Sequence, residues 1–132
     1  MPFWLITQPK FINKMKQYKR ADRIGAQILR QLPPAIADTL AEKFSGLVTF
    51  TRVQVSDDLR HATVYYSYLG NESDRQSVDE FFHREVGRIR KLAGGPLRIR
   101  HIPEFRFKFD PSIEEGMRIE QLLNEIKDDL QH

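Results

Sequence analysis

Between Arg84 and Lys108 the chain places eight basic residues, Arg84, Arg88, Arg90, Lys91, Arg98, Arg100, Arg106 and Lys108, against two acids, Glu85 and Glu104. A net excess of six positive charges over so short a span suits one chemistry above others, the neutralisation of phosphates and release of their counterions. On a helix Arg84, Arg88 and Lys91 stand at steps of four and three, so their side chains line up on one side. Gly87 lies among them. A mid-helix glycine costs about 1 kcal/mol relative to alanine, and its missing side chain lets a partner's backbone come close.

Other chemistries find no support. The sequence has no phosphate-binding glycine loop, no Gly-x-Ser-x-Gly elbow and no His-Glu-x-x-His, so no catalytic residue is nominated. His61, His83, His101 and His132 lack the spacing of metal ligands, and there is no cysteine to assist them. Glu104 and Asp110 could pair as acid and base, but such a spacing on a strand is common by chance. No metal, cofactor or small-molecule substrate is expected.

The chain has 132 residues, 40% apolar and 30% charged, which sets a single soluble domain with one core. Its net charge is only +3, but the charge is unevenly spread. Residues 1–20 hold Lys10, Lys14, Lys16, Lys19 and Arg20 without an acid, whereas residues 110–132 hold seven acids against Arg118 and Lys127. Such asymmetry points to a polyanion held on one surface. The apolar start Met1-Pro-Phe-Trp-Leu-Ile is far shorter than the ~20 residues of a membrane span, and no cleavage site follows it. A cytoplasmic protein without a membrane partner is therefore expected; it is also read as a monomer. Met15 offers an alternative start, leaving residues 1–14 as an extension expected to be mobile in isolation.

Three elements must hold the basic stretch in place. Ile24, Ile28, Leu32, Ile36, Leu40 and Phe44 recur every four residues, which predicts an amphipathic helix from Arg20 to Phe44. Pro33-Pro34 should kink or break it near Leu32. Leu47 to Val55 alternates, with Leu47, Thr49, Thr51, Val53 and Val55 on one face and Val48, Phe50, Arg52 and Gln54 on the other. After a turn at Ser56-Asp57-Asp58, Ala62 to Leu69 completes an antiparallel hairpin. A second helix, capped by serine or aspartate near Ser73, buries Val78, Phe81, Phe82, Val86, Ile89, Leu92 and Ala93, is interrupted at Gly87, and stops at Gly94-Gly95-Pro96. From Leu97 to Asp110 the chain should be extended and interrupted at Pro103, with Phe105, Phe107 and Phe109 inward and Arg106 and Lys108 outward. Stacking of these rings on bases competes with core packing, and the need to cover the hairpin favours the core. Ser112-Ile-Glu-Glu resembles a capping box opening an acidic amphipathic helix.

The fold class is thus α+β, with the order helix, strand, strand, broken helix, strand and C-terminal helix. It resembles a single type II KH-like domain. We divide the chain into a basic extension at 1–19, open to disorder, a KH-like RNA-binding domain at 20–110 and an acidic helix at 111–132. Four blocks make the resemblance specific: R-A-D-R-I-G-A-Q-I, V-S-D-D-L-R-H-A-T-V-Y, the stretch from R-I-R-K-L to P-E-F-R-F-K-F-D, and S-I-E-E-G-M-R-I-E-Q-L-L. From about Arg20 to Ile126 they look like ribosome-binding factor A. The resemblance implies a non-enzymatic factor that binds the free 30S subunit and its precursors and assists late maturation of 16S rRNA. It also implies that the usual Gly-x-x-Gly loop of KH domains is replaced by an Ala-x-Gly kink. Here that kink reads Glu85-Val86-Gly87, with the glycine kept and the alanine replaced by an acid. Further departures are Pro33-Pro34 and Ala41-Glu-Lys-Phe44, where members often carry Asp-Pro-Arg.

Residues and resemblance together nominate Arg84, Gly87, Arg88, Arg90, Lys91, Arg98 and Arg100 as RNA-binding, with Arg20, Arg106 and Lys108 as additional contacts. The acidic last helix is expected to meet basic ribosomal proteins, and the N-terminal arm to add contacts to rRNA. Two other readings stand beside this one: a KH-like binder of single-stranded RNA acting off the ribosome, and a protein-interaction module that uses the Phe-rich sheet.

Overall fold

The computed structural model describes the backbone over residues 9–131 and the side-chain surroundings over residues 19–130. The expectations for residues 1–8 fall outside that range. Ile24, Ile28, Leu32, Ile36 and Leu40 are all buried, and this stripe fixes helix α1, which runs over Pro9–Lys43. The break expected at Pro33-Pro34 does not occur; the helix continues through both. Both prolines lie on its exposed side, where water can satisfy the carbonyls left without a donor, and the stripe stays in step from Leu32 to Ile36. Burying large aliphatic side chains at ~1.5–3 kcal/mol each offsets a proline cost of roughly 3 kcal/mol. The helix also begins ahead of Arg20, so the division drawn there between extension and domain does not coincide with a helix start.

Three strands form one sheet in the order β1-β2-β3: β1 is Leu47–Val55, β2 His61–Leu69 and β3 Glu104–Phe109. The first two pair antiparallel, as the hairpin reading required, and β3 lies parallel to β2 on its other side. The strict alternation read along β1 is broken. Phe50 pairs with Tyr66 and Arg52 with Tyr65, so Thr51 is the extra residue of a bulge. One inserted residue switches the faces. Val48 and Phe50 before it, and Val53 and Val55 after it, therefore all turn towards the helices. The Thr51 hydroxyl donates to Asp110 Oδ2 at 2.8 Å, a bond that reaches across the central strand.

A parallel pair needs a crossover, and α2 (Glu72–Arg84) and α3 (Val86–Gly94) supply it. With α1 they cover one face of the sheet. Phe82 stacks on Phe107 at 4.5 Å and 7°, Tyr66 packs against Phe82 at 4.8 Å, and Phe44 meets Phe81 edge-on at 5.9 Å. Phe105 and Phe107 are buried and Phe109 half-buried, so the phenylalanines belong to the core and not to a stacking platform. Burial, with the Asp79 carboxylate that accepts its hydroxyl at 2.6 Å, pushes the Tyr66 phenol well above its ordinary range. Asn71 precedes α2, without a side-chain cap, in place of the expected serine or aspartate. Gly95 caps α3 and its N–H donates to the Lys91 carbonyl, as the Gly-Gly-Pro stop implied.

The last helix, α4 (Ser112–Gln131), starts on Asp110, whose Oδ1 accepts the Ser112 N–H at 3.0 Å. Met117, Ile119, Leu122, Leu123, Ile126 and Leu130 are exposed along it. Its apolar face has no partner among the described residues.

Two glycines make the helix packing testable. A Cβ on Gly25 would lie 2.8 Å from the Val53 carbonyl oxygen, because α1 presses on β1 there, whereas a Cβ on Gly87 would meet nothing within 4 Å. Gly25→Ala should therefore destabilise the fold by about 1–3 kcal/mol, while Gly87→Ala should stabilise it by roughly 0.4–1 kcal/mol. Urea midpoints that shift the same way for both would contradict the packing described. A second expectation concerns acid. The Ser56 hydroxyl and then the Arg60 N–H hold Asp58 below its ordinary value of 3.8. The Ser112 N–H and then the Thr51 hydroxyl do the same for Asp110. Both groups are depressed in the folded state, so their contribution is complete above pH 3.8 and is lost as pH falls through the lower folded values. Thermal midpoints should begin to fall below about pH 4, and Asp110→Asn should make that fall shallower. An unchanged acid slope in the variant would refute the Asp110 assignment.

Candidate nucleic-acid interface

The break between α2 and α3 sits at Glu85, two residues before the Gly87 at which the sequence placed it. Glu85 has φ −98° and ψ 10°, its N–H donates to the Phe81 carbonyl at 2.9 Å, and its own carbonyl accepts the Ile89 N–H at 3.0 Å. One residue in the sparsely occupied bridge region thus ends one helix and opens the next. The change of direction has a packing consequence: α2 contacts β3, whereas α3 contacts both β3 and α1.

Arg84, Gly87, Arg88 and Lys91 are all exposed around this junction. Arg84 closes α2, where a positive charge suits the helix dipole; Arg88 and Lys91 share one side of α3. The Glu85 carboxylate turns to Arg88, with Nη1 and Oε2 3.9 Å apart. With Arg88 exposed and Glu85 half-buried, a pair at that separation contributes little, and it leaves most of the Arg88 donors for another acceptor. Gly87 is helical, with no positive φ and with open space where a side chain would stand.

Arg90 differs from its neighbours. It is half-buried, its Nε donates to the Pro103 carbonyl at 2.9 Å and its Nη2 to the Ile102 carbonyl. These bonds fasten the connection between α3 and β3 to the helix. Gly94 completes the fit, since a Cβ there would overlap the Ile102 side chain. Along this connection Leu97, Ile99 and Ile102 pack against the core while Arg98 and Arg100 point outward. The alternation of a strand is present, but residues 97–103 join no ladder; pairing begins at Glu104, after Pro103.

The remaining nominated residues divide between two places. Arg20 and Arg100 line a cleft of about 640 Å³ between α1, the β1–β2 turn and the connection; Arg98 lines a smaller one of about 410 Å³ with Gln27, Arg30 and Gln31 of α1. Arg106 and Lys108 are exposed on the outer face of the sheet, pointing away from the helices, because the phenylalanines between them point in. Lys108 stands in register with Tyr65 and, beyond it, Arg52, whose guanidinium lies 4.0 Å from the Tyr65 ring centre. The two faces approach one another around the open edge of β3, where His83, Val86, Arg106 and Lys108 line one groove. The single ridge read from the sequence is therefore a helical surface and a sheet surface joined at an edge.

Sequence reasoning overlooked Arg30, Arg52 and Arg60. Arg30 lies on the exposed side of α1, Arg52 changes face through the bulge, and Arg60 follows Leu59, the one described non-glycine residue with positive φ, at 62°. A signal existed for Arg60, which falls in the V-S-D-D-L-R-H block. Nothing in the sequence announced the bulge. Glu104 and Asp110 stand at opposite ends of β3 and make no acid–base pair. Among the described residues no group of histidines and carboxylates could hold a metal ion, and no helix is long and apolar enough to cross a membrane.

The description of the family whose model matches residues 20–123 is Ribosome-binding factor A. A Ribosome-binding factor A of Geobacter metallireducens is 43% identical over 109 residues, covering 83% of this chain and 92% of its own. That of Halothermothrix orenii is 35% identical over 111 residues, covering 84% and 91%. The solution structure of a Thermotoga maritima protein, a candidate ribosome binding factor A, superposes with a TM-score of 0.56 at 33% identity, covering 67% of this chain and 85% of that one. The crystal structure of ribosome-binding factor A from Thermus thermophilus superposes with a TM-score of 0.57 at 22% identity, covering 67% and 93%, a likeness that carries the fold alone. The α+β, KH-like arrangement built above is the one these structures share. With a match that takes in the whole sheet, α2, α3 and α1 from Arg20 onward, this chain belongs to the ribosome-binding factor A family.

Proposed function

We propose that this protein is a non-enzymatic assembly factor of the cytoplasm that binds the free 30S subunit and assists late maturation of 16S rRNA. The outer side of α2 and α3 and the connection after them lie against rRNA phosphates. The observation that carries this reading is the junction itself: exposed Arg84, Arg88 and Lys91 surround a glycine with nothing within 4 Å of its absent side chain. A backbone can approach such a site closely while guanidinium and ammonium groups flank it. Family membership supplies the ribosome as the partner. Within this reading Arg90 is a positioning residue, since its donors hold the connection that presents Arg98 and Arg100.

Affinity built on phosphate contacts falls with salt, at a slope of about 0.7–0.9 per contact in log–log terms. The double variant Arg88→Glu/Lys91→Glu should lower co-sedimentation with 30S subunits by roughly tenfold or more, at ~1–3 kcal/mol for each charge-assisted contact. Its thermal midpoint should stay near that of the parent, because both side chains are exposed. Undiminished co-sedimentation would refute the placement at the junction. Recovery of mixed transcripts in place of 30S particles would favour an RNA binder working off the ribosome.

A further inference from the structure

The cleft that Arg20 and Arg100 share is walled by four arginines from four separate parts of the fold: Arg20 from α1, Arg60 from the β1–β2 turn, Arg90 from α3 and Arg100 from the connection. Its other wall residues include His61 and His101, and two carboxylates, Asp58 and Glu104. Asp58 is already engaged. Its Oδ1 accepts the Ser56 hydroxyl at 2.6 Å and the Arg60 N–H at 3.1 Å, so it holds the turn in shape. Glu104 faces His61, 4.0 Å from its Nδ1. Guanidinium groups stay charged at any working pH, so the cleft keeps a positive excess, and concave low-dielectric walls concentrate its field.

Part of its lining is apolar: Ile24 is buried and Leu59, Ile99 and Ile102 are half-buried, whereas Arg20, Arg60 and Arg100 are exposed. Leu59 is the telling one, because it adopts φ 62°, a conformation that glycine, asparagine or aspartate would take at less cost. A leucine held there keeps a branched apolar side chain against the core at the cleft's edge. At about 640 Å³ the cleft lies within the size of sites that enclose small organic groups. Cations beside an apolar lining suit a ligand with an anionic part and a flat, weakly polar part.

The geometry points to a nucleotide-sized RNA subsite: one phosphate met by Arg60 and Arg100, with the attached base laid on Leu59 and Ile99. The assignment rests on the proposed association with rRNA and extends it from the connection, through Arg100, into the cleft that Arg60 closes. A base splayed from its neighbours can lie on an apolar surface, and a cleft of this size is closed to a stacked duplex. Arg90 lends charge from a fixed position, its other donors being bound to Ile102 and Pro103.

The test uses the full chain. Arg60→Ala, which spares the Arg100 already placed on the connection, is compared with Arg88→Glu/Lys91→Glu for co-sedimentation with 30S subunits, with thermal midpoints as the control for folding. A photoreactive benzophenone side chain is placed separately at His101, which is exposed on the cleft wall. The proposal expects at least a tenfold loss for the cleft variant at an unchanged midpoint, and a cross-link from position 101 to rRNA. Loss in the junction variant alone, with full binding by the cleft variant, overturns the subsite and leaves the association with rRNA standing. Full binding by both overturns both readings. A cross-link only to ribosomal protein overturns RNA as the occupant. Titration with AMP and with a mixed-sequence ribo-oligomer separates the two sources of a nucleotide: tighter binding of the oligomer that weakens in Arg60→Ala supports the subsite, whereas AMP binding that weakens in Arg60→Ala while oligomer binding does not assigns the cleft to a free nucleotide instead.

Discussion

The stack of Phe82 on Phe107 is the contact on which the functional side of the molecule depends. The rings lie 4.5 Å apart at 7°, with Tyr66 against the same Phe82 at 4.8 Å. Aromatic pairs contribute ~0.5–1.5 kcal/mol beyond their buried area, but the position of this one matters more than its size. It joins α2 to the edge strand β3, and so fixes where α2 ends. Glu85 must follow within one turn of that end, and everything basic on α3 takes its place from Glu85. The same rings explain why the phenylalanine-rich strand offers no stacking platform: its aromatic side is already covered.

From that anchor, position is handed on through specific contacts. Ile89 and Ala93 bury the inner side of α3, which leaves Arg88 and Lys91 outside. Arg90, between them, turns its guanidinium onto two carbonyls of the following connection, and Ile102 fits against Gly94. A charged group is thereby used to position backbone, at an adjacent sequence position to groups left free for a partner. The net worth of such a hydrogen bond is ~1.5–3 kcal/mol when one partner is charged. Its loss would release the segment that carries Arg98 and Arg100.

Much of this arrangement was legible in the sequence, and the limits have physical causes. Spacing alone gave the buried stripe of α1 and the hairpin, since every fourth residue and every second residue map directly onto a face. The helix stop at Gly95 was legible from the residue types Gly-Gly-Pro themselves, a local signal of backbone preference. The bulge at Thr51 was illegible because both faces of β1 carry apolar residues, so an inserted residue leaves no mark on the pattern. The uninterrupted passage of α1 through Pro33-Pro34 was missed because propensity is local, while the burial of Leu32 and Ile36 that opposes it is tertiary. Gly87 drew the helix break to itself. The break belongs to Glu85, and the glycine marks open space instead. Charge counting found the basic stretch without its division into two faces, since counting takes no account of the alternation that sends Arg106 and Lys108 to the far side of β3. The basic residues of α1 and the turn, Arg30 and Arg60, join Arg98 and Arg100 only through the tertiary fold.

The acidic end of the chain has its own consequence. Glu114, Glu115, Glu120, Glu125, Asp128 and Asp129 carry the charge that would most readily neutralise the arginines. Among the described residues Arg88 pairs with Glu85, and His61 and His83 stand within 4.0 Å of Glu104 and Asp79; none of these contacts reaches α4. The sheet and its three covering helices close their core without α4, whose apolar side chains stay exposed. Folding therefore separates the two signs: cations are fixed on the domain by the aromatic stack and its dependants, and anions are carried on a helix that makes few contacts with it. A surface whose cations are not consumed by internal pairs retains its field over a Debye length, about 8 Å at physiological salt. The free apolar side of α4 and the free cations of the domain are thus two results of one fact, that the core is complete at β3.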